Sequence, residues 1–271
     1  MQAGALLAGP VGWLVVGYLG SLAVLLVTSF WSLGELSGEI QRTATLDNFR
    51  TLAEEPVYRD VAGRTVAIAA LVTVTDALLA FPLAFFMAKV AGPRARGLLV
   101  VAVMVPLWSA YLVKAYAWRT ILSEDGPLNW ALAPFGLSGP GYGLIAVWLV
   151  MSYLWLPYMV IPIYAGLDRI SDSLLNASED LRARPTYTFR RVILPLAFPA
   201  VVAGSIFTFS LTLGDFIAPS LVGSGDQFIG TVVYSTITTN LPLAAAFATV
   251  PIAVMVVYLL GARRLGAFEH V

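Results

Sequence analysis

Residues 173–199 read SLLNASEDLRARPTYTFRRVILPLAFP, the one long polar interruption in the second half of a very apolar chain. Arg182, Arg184, Arg190 and Arg191 lie inside it and Arg169 just upstream. An apolar run long enough to cross a bilayer lies on either side. Reading this stretch as a basic loop between two spans, and not as a surface loop of a globule, decides the fold.

The rest of the chain agrees. Of 271 residues, 59% are hydrophobic and only 12% charged, and mean hydropathy is +0.82, too little polar material to coat a soluble globule of this size. The formal net charge of zero gives no sign of a nucleic-acid partner. The absence of cysteine excludes disulfides, Fe–S clusters and thiolate zinc sites, and the single histidine, His270, is the penultimate residue, so Cys and buried-His catalysis drop out. The first apolar run has no Lys or Arg before it and exceeds a signal-peptide core, which reads as a retained span.

Six apolar segments emerge, at about 6–31, 65–88, 98–122, 143–167, 198–221 and 243–260. They imply an all-α integral membrane protein with one transmembrane domain over 1–271. Between the first two lies the most polar region; Thr45–Phe49 within it reads as a helix start capped by Asp47 or Asn48. Pro157 and Pro162 are expected to kink the fourth span. Residues 222–242, rich in Gly and Thr, read as a short re-entrant or interfacial element.

Orientation follows from the cations. Lys89, Arg94, Arg96, Arg169, Arg182, Arg184, Arg190, Arg191, Arg263 and Arg264 fall on one side; Arg42, Arg50, Arg59, Arg64 and Arg119 fall on the other, and Lys114 lies within a span. The positive-inside rule puts the larger group in the cytoplasm, with both termini and residues 173–195.

Locally, that basic stretch reads as two short helices. Asp172 or Ser173 caps the first, and Leu174, Leu175 and Leu181 form its apolar stripe. Arg184 before Pro185 leaves helical geometry; Pro185 suits the first turn of a second helix that stops at Pro195.

The stretch resembles the EAA loop of bacterial ABC-importer permease subunits, which reads Glu-Ala-Ala, three residues, Gly, nine residues, Ile, one residue, Leu-Pro. Asn176, Ala177 and Ser178 take the first triplet, Arg182 the glycine position, and Val192, Leu194 and Pro195 the end, with the spacing matched throughout. Asp180, Leu181 and Ala183 also look like the family. Two departures stand out: Asn176 replaces an acid and cannot form a charged pair, and Arg182 enters a left-handed turn less cheaply than glycine.

Other stretches resemble the spermidine/putrescine-type subunits in order and spacing: Thr45–Phe49, Val105–Trp108, Lys114–Trp118, Gly126–Trp130, Leu213–Gly223 and Asn240–Ala246. The resemblance implies a bacterial inner-membrane permease forming half of a translocation pathway. It implies two cytoplasmic ATPase subunits, a second permease subunit in a heterodimer, an extracytoplasmic solute-binding protein, and a polyamine substrate. It makes Asn176, Ala177, Ser178, Asp180, Leu181, Arg182 and Ala183 the ATPase-coupling residues.

This chain has no Walker A sequence: Lys89 and Lys114 follow Ala88 and Val113. No cofactor is expected on it, ATP and Mg belonging to the partner ATPases, and it is not read as an enzyme. A permease for another small solute, such as an amine, a thiamine-like compound or an iron chelate, is the alternative. A stand-alone secondary carrier is disfavoured because no inverted repeat is visible.

Ionisable residues inside spans are costly and mark function by default. Asp76 lies roughly 17 Å along the second span, near mid-membrane. Lys114 and Asp215 reach similar depth along the third and fifth spans and can pair. Asp215 is then either a pathway residue for an oligoamine, with Trp108, Tyr111, Tyr116 and Trp118 supplying cation-π faces, or a structural partner of Lys114. Asp76 is weighed between a pathway role and a hydrogen-bonded link between helices.

Overall fold

The computed structural model describes residues 9–34 and 38–264; His270, Glu35 and the first residues of the expected first span lie outside that range. Apolar residues without interruption by charge give α1, Gly9–Thr28, with a π turn at Val15–Leu19. A two-stranded ladder follows, β1 Ser32–Leu33 against β2 Ile40–Gln41, and then α2, Asp47–Glu54. The start of α2 is capped differently from expectation. Thr45 Oγ1 accepts the Asp47 amide at 3.1 Å, while Asn48 turns inward and donates to the carbonyls of Ser29 and Trp31 at 2.9 and 2.7 Å.

The longest span, α3, runs Pro56–Val90 and ends in a π turn. Pro56 opens it without loss, since a first-turn N–H has no intrahelical partner. The expected third span is broken. α4, Pro93–Trp108, and α5, Tyr111–Ile121, meet at 93° across Ser109 and Ala110, whose backbones are extended. With that pair counted as one, six candidate spans are present among the described residues. α6, Pro127–Leu132, with a 3₁₀ turn at Ala133–Phe135, leads to α7, Leu144–Asp168, which continues through Pro157 and Pro162 as one helix.

α8 spans Asp172–Asp180, and α9, Pro185–Gly214, is longer than the sequence suggests. The second helix of the basic stretch does not stop at Pro195 but runs on into the fifth span. A π turn at Phe189–Ile193 widens the backbone just before Pro195, so a residue without an N–H is passed instead of ending the helix. α10, Ile217–Val222, α11, Ile229–Thr236, and α12, Leu241–Arg264, complete the chain. α11 is the short element expected within 222–242.

The chain divides into two compact units. One takes the chain up to Gly63 with Phe228–Ala253; its core joins Val61, Ile229 and Phe247. The other takes Arg64–Gln227 and the chain from Val254. Its core is built where α3 and α9 pack on α7: Ala80, Ala84 and Met87 meet Met159, Ile163 and Leu167, with Ile193 and Ala197 closing the group. Small residues permit the approach of α7 to α9. A Cβ on Gly166 would collide with Cβ of Ala200, and one on Gly204 would lie 2.7 Å from Sδ of Met159. In membranes, where burial from water does not drive helix association, such close packing carries the cohesion.

Candidate coupling and translocation site

α8 ends where its sequence requires a left-handed residue. The Arg182 amide donates to the Glu179 carbonyl at 2.7 Å and the Ala183 amide to the Ser178 carbonyl at 3.1 Å, the two bonds of a Schellman turn. That turn puts its closing residue in the left-handed region, and Arg182 has φ 55°. The glycine position of the motif is thus a real backbone demand, met here by arginine at a cost of about 1 kcal/mol.

The turn hands the chain to Pro185 through an extended Arg184, and Ser178 Oγ hydrogen-bonds Thr188 Oγ1 at 2.7 Å, tying the two arms of the hairpin. Between them lies a groove of 970 Å³ bordered by Leu174, Ala177, Leu181, Tyr187 and Arg190. Leu181 is 84% exposed; Asn176, Ala177 and Asp180 are also exposed, and Ala183 is half-buried. The tip thus presents an exposed leucine on a braced hairpin, with Arg184, Arg190 and Arg191 lining the groove beside it.

Two cations hold the approach to α8. Lys89, whose side chain is only 10% exposed, donates to the Ile170 carbonyl at 2.5 Å and reaches Asp172 at 3.2 Å. Arg96 donates to the Ala88 carbonyl at 2.8 Å and to Asp168 at 3.3 Å. Sequence reading counted both only toward orientation; nothing in a basic turn says which distant carbonyl it will meet.

The intramembrane residues fall into separate groups. Lys114 does not pair with Asp215. Its Nζ donates to the Pro106 carbonyl at 3.0 Å, which also accepts from Ser109 Oγ at 3.0 Å. The break after α4 leaves carbonyls without helical partners, and the cation caps one of them. Depth along a straight helix suggested the other pairing; the 93° bend invalidates that arithmetic.

Asp215 is 8% exposed and well supplied with donors: Tyr111 Oη at 2.6 and 2.7 Å, the Ile217 amide at 2.9 Å and the Ala218 amide at 3.3 Å. It satisfies the free amides at the start of α10 and fastens them to α5. Tyr111 in turn stacks on Trp155 at 5.7 Å. Trp108 and Tyr116 are 86% and 53% exposed and are not hydrogen-bonded to this group.

Asp76 is fully buried and faces Ser152 on α7, so its place between helices is as expected. The hydrogen bond is not: neither carboxylate oxygen nor the Ser152 hydroxyl closes one. The neighbouring position is satisfied, Trp148 Nε1 donating to Thr75 Oγ1 at 3.0 Å.

Residues 65–267 match the family described as the binding-protein-dependent transport system inner membrane component. The chain belongs to this family. The permease is 44% identical over 281 residues to the inner membrane ABC transporter permease protein YdcU of Escherichia coli K12, covering 97% of this chain and 90% of that one. It is 33% identical to the spermidine/putrescine transport system permease protein PotB of Haemophilus influenzae, covering 74% and 72%. The fold matches a chain in the crystal structure of a bacterial alginate ABC transporter in complex with alginate pentasaccharide-bound periplasmic protein, with a TM-score of 0.78 at 16% identity over 97% of this chain and 93% of that one. It is therefore a nearly all-helical, multi-pass permease subunit of the ABC-importer class.

Proposed function

We propose that the two units act together as one permease domain, half of a translocation pathway in a bacterial inner membrane, which imports polyamines when cytoplasmic ATPases drive it. The braced hairpin with its exposed Leu181 and left-handed Arg182 is the observation that carries the coupling role. The cation count supports a cytoplasmic position for it and for both termini. On this reading Asn176, Ala177, Ser178, Asp180, Leu181, Arg182 and Ala183 meet one of two ATPase subunits. A second permease subunit completes the pathway and an extracytoplasmic solute-binding protein delivers the solute. ATP and Mg are held by the ATPases; this chain carries no cofactor and no catalytic residue.

ATP-bound ATPases hold the paired hairpins together and favour one accessibility of the pathway; release after hydrolysis favours the other. The substrate class is supported by the relatives named for spermidine and putrescine. Within the pathway, exposed Trp108 and Tyr116 offer ring faces to ammonium groups, worth about 0.5–2 kcal/mol each. Asp215 with Tyr111, Lys114 at the break, and Asp76 shape the surrounding wall. Uptake of labelled spermidine or putrescine by the reconstituted complex tests the reading. ATP-dependent, saturable accumulation is expected; accumulation of neither, with intact ATP hydrolysis, contradicts the polyamine assignment.

A further inference from the structure

The hairpin is attached to more than the two spans that flank it in sequence. Just upstream of α8, the Lys89 ammonium holds the carbonyl of Ile170. After the hairpin turns, Phe189 packs edge-on against Phe81 at 5.7 Å and Phe85 at 6.4 Å. Both fixings end on the last three turns of α3, and Arg96 braces the same corner through the carbonyl of Ala88 and the carboxylate of Asp168. A segment held at both ends by one helix cannot tilt without that helix.

We propose that Lys89 is a positioning residue for coupling: it locks the hairpin to the end of α3, so that displacement of the hairpin is delivered to α3 as a rigid unit. The inference rests on the coupling role proposed above. Lys89 suits it because its ammonium is a buried donor aimed at a backbone carbonyl, an acceptor that side-chain replacement cannot remove. The Asp172 carboxylate, 84% exposed, contributes little, since an ion pair open to water is weak. The work therefore falls on the bond to Ile170.

The test uses the full complex of permeases and ATPases, with this chain naturally free of cysteine. Lys89→Met is expected to lower uptake per ATP hydrolysed about tenfold, a typical coupling factor, with Lys89→Arg restoring most of it. Arg94→Ala, removing an exposed cation of the same turn, leaves that ratio unchanged. Spin labels at Val90→Cys and Ser173→Cys, with Lys89 retained, report the lock without depending on how well Lys89→Met folds. One narrow distance, the same without nucleotide and with ATP trapped, supports the lock. A distance that changes with nucleotide overturns it, as does an unaltered uptake ratio in Lys89→Met. Failure of the complex to couple uptake to ATP with Lys89 in place overturns the underlying coupling reading instead.

Discussion

Arg182 shows how a motif's glycine encodes a backbone conformation. Its φ of 55° and the two carbonyls it and Ala183 satisfy are what the position requires, whatever side chain stands there. Arg182→Gly is therefore expected to stabilise the solubilised permease by about 1 kcal/mol, read as a higher thermal midpoint, because glycine enters this region without the Cβ clash. A lower midpoint would mean that the arginine side chain contributes more than its backbone costs. Asp215 makes the opposite case, a charge placed for its acceptor geometry. Asp215→Asn keeps an oxygen for the Ile217 and Ala218 amides and can donate from its NH2 to the Tyr111 hydroxyl oxygen, and should cost less than about 1 kcal/mol. Asp215→Leu leaves those donors without a partner and should cost about 2–4 kcal/mol in the same melt. Equal losses in the two variants would show that charge, not hydrogen bonding, is what the site needs.

At the scale of elements, the legible features were those carried by local composition. Long apolar runs marked the spans, and Pro185 within an arginine-rich stretch marked the hairpin. Two boundaries were not legible. The third span breaks at Ser109 and Ala110, neither of which is a helix breaker; Pro106 lies in the last turn of α4, and Lys114, just past the break, caps its carbonyl. Pro195 looks like a stop, yet a π turn carries α9 past it. The packing of α7 on α9 rests on Gly166 facing Ala200, a contact that spacing alone does not announce. Gly166→Val should separate the two helices and cost about 1–3 kcal/mol by overpacking. Gly97→Ala, in open space on α4, should be neutral or slightly stabilising in the same thermal assay. Equal behaviour of the two variants would contradict the close α7–α9 approach.

At the scale of the molecule, the proposed function makes the exposed hairpin tip the place where this permease meets its source of energy. The family was readable in the sequence because the motif's spacing survives even where Asn176 and Arg182 replace the usual residues. What holds the hairpin was not readable, since Lys89 and Ile170 lie 81 positions apart and their contact exists only once α3 and α7 are packed. Leu181, 84% exposed at the tip, gains about 1.5–3 kcal/mol if a partner covers it. Co-purification of the ATPase subunits with Leu181→Asp, alongside ATP-driven uptake by the same preparation, is the most direct measurement. The variant is expected to lose both the ATPase and uptake while folding and inserting normally. Intact ATPase association with full uptake would contradict the coupling role of the hairpin.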